Sequence, residues 1–126
     1  MNGVIIRKVT AIKNERGTTI EWCKGMSGKQ VTIYTRKSGQ EFADHYHTGA
    51  DISKNPERFF LITGNVSFHC EDMNTKESAS FILTSGMELL IDPYIYHKAK
   101  ALEDSIFLEY RMTEFDSNHS DTLLNS

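Results

Sequence analysis

The chain predicts an all-β domain, a sandwich or barrel of short strands. Short runs rich in branched and aromatic residues recur along its whole length, turn-forming segments separate them, and no stretch holds a long helical period. Its 126 residues suffice for one domain and fall short of two of usual size.

The strand-like runs cover residues 4–9, 18–22, 30–36, 59–63, 66–70, 80–84, 88–91, 97–102 and 106–112. Each is short, and most are rich in the Val, Ile, Phe, Tyr and Thr that suit a pleated surface. Between them lie Asn14-Glu15-Arg16-Gly17, Lys24-Gly25-Met26-Ser27-Gly28, Ser38-Gly39, Gly64-Asn65 and Asp72-Met73-Asn74-Thr75, all turn chemistry. Residues 49–56 are polar and end in Lys54-Asn55-Pro56, which predicts a loop with room for one helical turn. From Glu57 the alternation puts Glu57, Phe59, Leu61 and Thr63 on one side and Phe60 and Ile62 on the other. Both sides are apolar past the carboxylate, so the second face needs a cover, either another sheet or another subunit. Ala43, His45 and His47 are expected on one face of their strand, and Phe42, Asp44 and Tyr46 on the other. Residues 1–114 make the single domain of this reading; residues 115–126 make a polar tail, mobile unless Leu123 and Leu124 dock.

Composition excludes several classes. Hydrophobic residues make 39% and charged residues 25%, the balance of a folded soluble domain. A net charge of −3 and a pI near 5.9 argue against nucleic acid or an anionic membrane as the main partner. No run is long enough to cross a bilayer, and no apolar leader follows Met1. Two cysteines, Cys23 and Cys70, make no disulfide framework; a reducing cytoplasmic location and two small core thiols are expected.

Chemistry concentrates in four residues. His45 and His47 are spaced by two, so a strand presents both rings on one face, roughly 6.5–7 Å apart at the backbone. Glu57 and His97 sit at the start of apolar strand-like runs and add a carboxylate and a third imidazole. That set suits one divalent transition ion, Fe, Mn, Zn or Ni, and does not choose between them. His45 and His47 are equally candidates for proton transfer. His69-Cys70-Glu71-Asp72 offers metal-binding residue types, but successive strand residues point to opposite faces, so a hairpin end is expected there. Gly25-Met26-Ser27-Gly28-Lys29 lacks the phosphate-loop spacing and reads as a turn. Tyr34, Tyr46, Tyr94 and Tyr96 are candidates for a pocket wall and for strand packing alike.

The spacing resembles the two motifs of the cupin family. The first has Gly, five residues, H-x-H, then Glu, six residues and Gly; Gly39, His45, His47, Glu57 and Gly64 fall into those places. The second has Gly, five residues, P-x-G, and His after two more; Gly86 and His97 match it, with Asp92 in place of Pro and Tyr94 in place of Gly. Ala101 replaces the Asn that often follows, and nine residues separate His47 from Glu57 where three or four are usual. Asp51 stands at the shorter spacing as a rival ligand; Glu57 is preferred because it begins the apolar strand ending in Gly64. The resemblance implies a double-stranded β-helix, the cupin jelly-roll barrel, with the first motif at 39–64, the second at 86–97, and a metal on His45, His47, Glu57 and His97.

Asn14-Glu15-Arg16-Gly17 followed by Thr18-Thr19-Ile20-Glu21-Trp22 is similar to the D-x-R-G opening of the nucleotide-sugar cupins, the dTDP-4-dehydrorhamnose 3,5-epimerases and the dTDP-4-keto-6-deoxyhexose 3,4-ketoisomerases. This resemblance implies an isomerase or epimerase acting by proton transfer on a sugar or a nucleotide-linked keto-sugar, in polysaccharide biosynthesis. Two alternatives stay open: an Fe(II) oxygenase on the same ligands, and a non-catalytic cupin that binds a small ligand. A homodimer is expected under all three.

Overall fold

The computed structural model describes residues 1–124. It holds twelve strands: β1 (Val4–Lys8), β2 (Ala11–Asn14), β3 (Gly17–Ile20), β4 (Gln30–Arg36), β5 (Glu41–Tyr46), β6 (Glu57–Thr63), β7 (Asn65–Asp72), β8 (Ser78–Thr84), β9 (Met87–Ile91), β10 (Ile95–Ala101), β11 (Ser105–Arg111) and β12 (Leu123–Leu124). One five-stranded sheet runs β1-β9-β6-β11-β4; the other runs β12-β5-β10-β7-β8; β2 and β3 pair apart as a ribbon. All pairings are antiparallel. This is the jelly-roll barrel expected from the sequence. Ala11–Asn14 and the closing strand Leu123–Leu124 are additions, both too short to carry a period.

The core lies between the sheets. Leu61 and Leu89 from the first sheet meet Val66, Cys70 and Ala99 from the second, and Ile91, Ile95 and Phe107 close around them. Alternation explains each member. In β10, Ile95, His97, Ala99 and Ala101 are buried while Lys98 and Lys100 are exposed. In β11, Ser105, Phe107, Glu109 and Arg111 are buried, which takes two charged residues inside.

The hairpin from β6 to β7 turns on Gly64 alone. Its φ is +108°, and a Cβ there would stand 2.1 Å from Ser105 Oγ and 2.8 Å from Ser105 Cα. Backbone cannot withdraw as a side chain can. Gly64→Ala is therefore expected to lose about 2–4 kcal/mol of stability. A urea midpoint equal to that of the unaltered protein would contradict this packing.

Three expectations change. The alternation around the histidines breaks, because Ala43 and Asp44 both adopt left-handed backbone, with φ of 67° and 66°. The register with β10 slips there: His97 faces His45, yet Lys98 faces Ala43. This bulge turns Phe42 inward to stack on Phe107 at 5.5 Å, so Phe42 and His45 reach the same cavity. The outer face of β6 is covered at Phe60 by Trp22 of the same chain, ring centroids 5.6 Å apart, while Ile62 stays exposed. Cys70 is a core thiol as expected, but Cys23 is half-buried in the turn after β3, at φ 58°.

Residues 49–56 form a loop with one 3₁₀ turn, Ile52–Lys54, capped by the Asp51 carboxylate. Residues 115–124 have defined partners: Leu123 pairs with Tyr46 and Leu124 with His45. The last two positions of the tail, 125 and 126, lie outside the described residues.

Candidate active site

Register brings the imidazoles together. His97 on β10 lies opposite His45 on β5, and His47 follows at the end of β5. One nitrogen from each of the three rings lies within 4.8 Å of the others. Glu57, at the start of β6, reaches across from the opposite sheet: its Oε2 is 3.0 Å from His47 Nε2 and its Oε1 is 3.3 Å from His97 Nε2. Exposure is 4% at His47 and 1% at both Glu57 and His97, so water does not compensate these groups.

Hydrogen bonds decide where the ring protons sit. His97 Nδ1 is 3.0 Å from the Ile95 carbonyl oxygen, and His47 Nδ1 is 2.5 Å from the Asp121 carbonyl oxygen. A carbonyl only accepts, so each Nδ1 donates. Each Nε2 is left facing the Glu57 carboxylate. The distances are those of hydrogen bonds, but His47 Nε2, His97 Nε2 and Glu57 Oε1 have no aligned partner. Neutral rings would set lone pairs against a carboxylate. The geometry asks for a cation, either a proton on a ring or a metal ion. Nδ1–H to a backbone carbonyl with Nε2 turned to the centre is also how metal-ligating histidines are held.

A buried ionic network surrounds this centre. The Lys54 ammonium bridges Glu57 Oε2 at 2.5 Å and Glu109 Oε2 at 2.7 Å, and Tyr34 donates its hydroxyl to Glu109 Oε1 at 2.8 Å. Arg111 pairs with Asp51 at 2.7 Å. Glu57, Glu109 and Asp51 thus share Lys54 and Arg111 in direct ion pairs, with Arg36 a further cation on the same cavity. Burial favours the neutral acid at Glu57, but contacts from His47 and His97 and the charge on Lys54 outweigh it and hold the carboxyl well below its ordinary range. At Lys54 burial opposes the charge, and Glu57 and Glu109 overcome it, so its pKa is raised. Burial at Tyr34, reinforced by Glu109, raises its phenol, which stays protonated.

His45 differs from its neighbours. Burial, then the proximity of His97 and His47, pushes its imidazole down to about 4, so the ring is neutral at pH 7 and keeps a lone pair free to accept a proton. It lines a cavity of about 100 Å³ together with Tyr34, Arg36, Phe42, Lys54, Phe59 and Phe107. Arg36 lies 5.2 Å from the Tyr34 and Phe42 ring centres and has no carboxylate partner among the described residues. Arg36 and Phe42 also line an adjoining surface groove of about 770 Å³, together with Lys37 and Gln40.

His45, His47, Glu57 and His97 therefore converge. Asp51 does not join them: its carboxylate accepts from Ser53 N, Thr113 Oγ1 and Arg111. Of the tyrosines, only Tyr34 lines the cavity; Tyr96 donates to Asp44, and Tyr94 is 42% exposed. Tyr94 holds φ 62° at the place where the cupin motif has Gly, and its N–H donates to the His47 carbonyl at 2.7 Å. His69 bonds Ser80 across the β7–β8 hairpin, away from the centre. Asn14 to Gly17 form the exposed tip of the β2–β3 ribbon and do not line the cavity. Sequence reasoning passed over Lys54, Glu109, Arg36 and Asp121. The one available signal was Phe107, Glu109 and Arg111 at alternating positions, which puts charges on an inward face.

A jelly roll with a His₃Glu centre between its sheets defines a cupin-type barrel. A family profile described as the polysaccharide biosynthesis C-terminal domain matches residues 12–123, and the chain belongs to that family. No curated protein sequence matches it. Among solved structures it resembles a dTDP-4-dehydrorhamnose 3,5-epimerase from Sulfolobus tokodaii, at 20% identity and TM-score 0.77, covering 94% of this chain and 76% of that one. It also resembles a TDP-quinovose 3,4-ketoisomerase from Campylobacter jejuni, at 16% identity and TM-score 0.78, covering 99% and 95%. A third likeness is to the capsular polysaccharide assembling protein CapF from Staphylococcus aureus, at 20% identity and TM-score 0.66, covering 94% of this chain and 32% of CapF. At these identities the likeness establishes the fold.

Proposed function

We propose that the protein moves a proton next to the carbonyl of a sugar, most concretely a nucleotide-linked keto-sugar, as an isomerase or epimerase. One observation carries the reading: His45 is a neutral imidazole opening onto a cavity that also holds Lys54, Arg36 and four phenylalanine rings. The family supports a place in polysaccharide biosynthesis. The substrate class is supported by the epimerase and ketoisomerase likenesses, one of them a 3,4-ketoisomerase in complex with TDP-4-keto-6-deoxyglucose.

His45 takes the proton from the carbon beside the carbonyl, and the electron pair moves to the carbonyl oxygen. The developing negative charge meets positive potential from Lys54 and Arg36, in a cavity where low dielectric strengthens their effect. Phe42, Phe59 and Phe107 offer apolar surface to the sugar ring. Returning the proton to the other face of the same carbon gives an epimer; returning it to the former carbonyl carbon, while the proton of the adjacent hydroxyl passes to the former carbonyl oxygen, gives a ketoisomer. No electron acceptor is consumed either way.

A divalent transition metal belongs to the same proposal. His45, His47, His97 and Glu57 would hold it, His45 then serving as a ligand and not as the base, and the unpaired Nε2 atoms support the fit. Bound there, it would act as a Lewis acid on the carbonyl oxygen.

The test is incubation with TDP-4-keto-6-deoxyglucose in D₂O, followed by proton NMR. Deuterium is expected at the carbon next to the carbonyl, with or without a shifted keto group. No exchange with this or any other nucleotide-linked keto-sugar, in protein whose metal content has been measured and restored, would overturn the reading.

A further inference from the structure

We infer that Asp121, in the C-terminal segment, is a positioning residue for His47 and sets which ring nitrogen faces Glu57. The inference rests on the His45–His47–His97–Glu57 cluster being the working centre.

Two contacts join residue 121 to the site. Its backbone carbonyl oxygen accepts from His47 Nδ1, which turns the Nε2 lone pair toward Glu57. Its carboxylate fastens that carbonyl in place. Oδ1 accepts from Thr48 N–H at 2.9 Å and from the Thr48 hydroxyl at 2.7 Å; Oδ2 accepts from Gly49 N–H at 2.7 Å and from Asp51 N–H at 3.3 Å. All four donors come from the segment directly after His47. Gly49, at φ +89°, bends that backbone so that successive N–H groups converge on one anion. The pairing of Leu123 and Leu124 with Tyr46 and His45 then registers the segment on the strand that carries the histidines.

The two buried imidazoles are thus held by different means. His97 Nδ1 bonds the Ile95 carbonyl, two residues away on its own strand. His47 Nδ1 bonds a carbonyl 74 residues away in sequence. Local backbone guarantees the first arrangement, whereas only a docked C-terminal segment provides the second. An imidazole without its outer partner can rotate or exchange tautomers, and such partners typically govern metal affinity or activity by about 10–100-fold.

The asymmetry supplies its own control. Long-range ¹H–¹⁵N NMR reads which nitrogen of each histidine carries the proton, with or without metal. In the full chain both His47 and His97 are expected to carry it on Nδ1. In Asp121→Ala, and in a chain ending at residue 119, His47 is expected to lose this pattern while His97 keeps it. Asp121→Asn retains an acceptor oxygen and should recover most of it. Zn²⁺ titration by calorimetry is expected to show affinity lower by about 10–100-fold in Asp121→Ala and nearer the original in Asp121→Asn. Circular dichroism confirms folding; if the shortened chain does not fold, Asp121→Ala carries the test. An unchanged His47 signal in folded Asp121→Ala would overturn the inference. A full chain that takes no Zn²⁺ would count against the metal alone, since the tautomer reading stands without it.

Discussion

His45→Ala is expected to slow turnover of an accepted keto-sugar by about 10²–10⁴-fold while leaving the melting temperature nearly unchanged. The reason is position. His45 is the least buried of the three imidazoles, has no hydrogen-bond partner among the described residues, and opens onto the cavity. Removing it breaks no hydrogen bond or ion pair, only its packing against the His47 and His97 rings. His47→Ala and His97→Ala are different, because each also strips a neighbour from the buried Glu57 carboxylate. They should lower activity and stability together. The three variants also separate the roles of His45. If it acts as a ligand, metal content falls in all three and a chelator abolishes activity in the unaltered protein. If it acts as a base, the chelator does little and His45→Ala costs the most. Full activity in His45→Ala would remove it from the chemistry altogether. Steady-state kinetics with elemental analysis on the same samples reads all of these outcomes.

Lys54→Met is expected to be the most destabilising change in the site. Lys54 is 12% exposed at its side chain and bridges two carboxylates that are each 2% exposed. Without the ammonium, Glu57 and Glu109 keep their charges in a buried site with less to oppose them. Breaking such a pair from one side costs about 3–5 kcal/mol, which lowers the melting temperature of a domain this size by on the order of 10 °C. Two further results give the effect its cause. Adding Glu109→Gln to Lys54→Met should restore part of the loss, since one stranded charge is gone. A divalent ion that binds the imidazoles and Glu57 should also raise the melting temperature more in Lys54→Met than in the unaltered protein. A melting temperature unmoved by Lys54→Met would mean that the bridge contributes nothing to stability.

The strands of both sheets were largely legible because their signal is local. Period-two alternation places His97 on the same face as Ala99, and Glu57 on the same face as Leu61, whatever the rest of the chain does. The spacing of His45 and His47, the apolar run behind Glu57 and the two glycine-bounded motifs were likewise readable residue by residue. The β2–β3 ribbon was harder, since half of it lies in Ala11–Asn14, four residues with no clear alternation.

The working details of the site depend on contacts between distant residues, and no local pattern encodes those. The bulge at Ala43–Asp44 puts two non-glycine residues at positive φ, which ordinary propensity argues against; pairing with β10 imposes it, and it brings Phe42 into the cavity. Lys54 reads in sequence as a loop lysine, yet the fold carries it between Glu57 and Glu109. Asp121 reads as part of a polar tail, yet docking places it against His47. By itself the sequence determined an all-β chain with three histidines and a glutamate at strand positions. Only the tertiary structure decided that those four converge, which charges balance them and which carbonyls orient their rings, because each of these is set by strands that are neighbours in space and far apart along the chain.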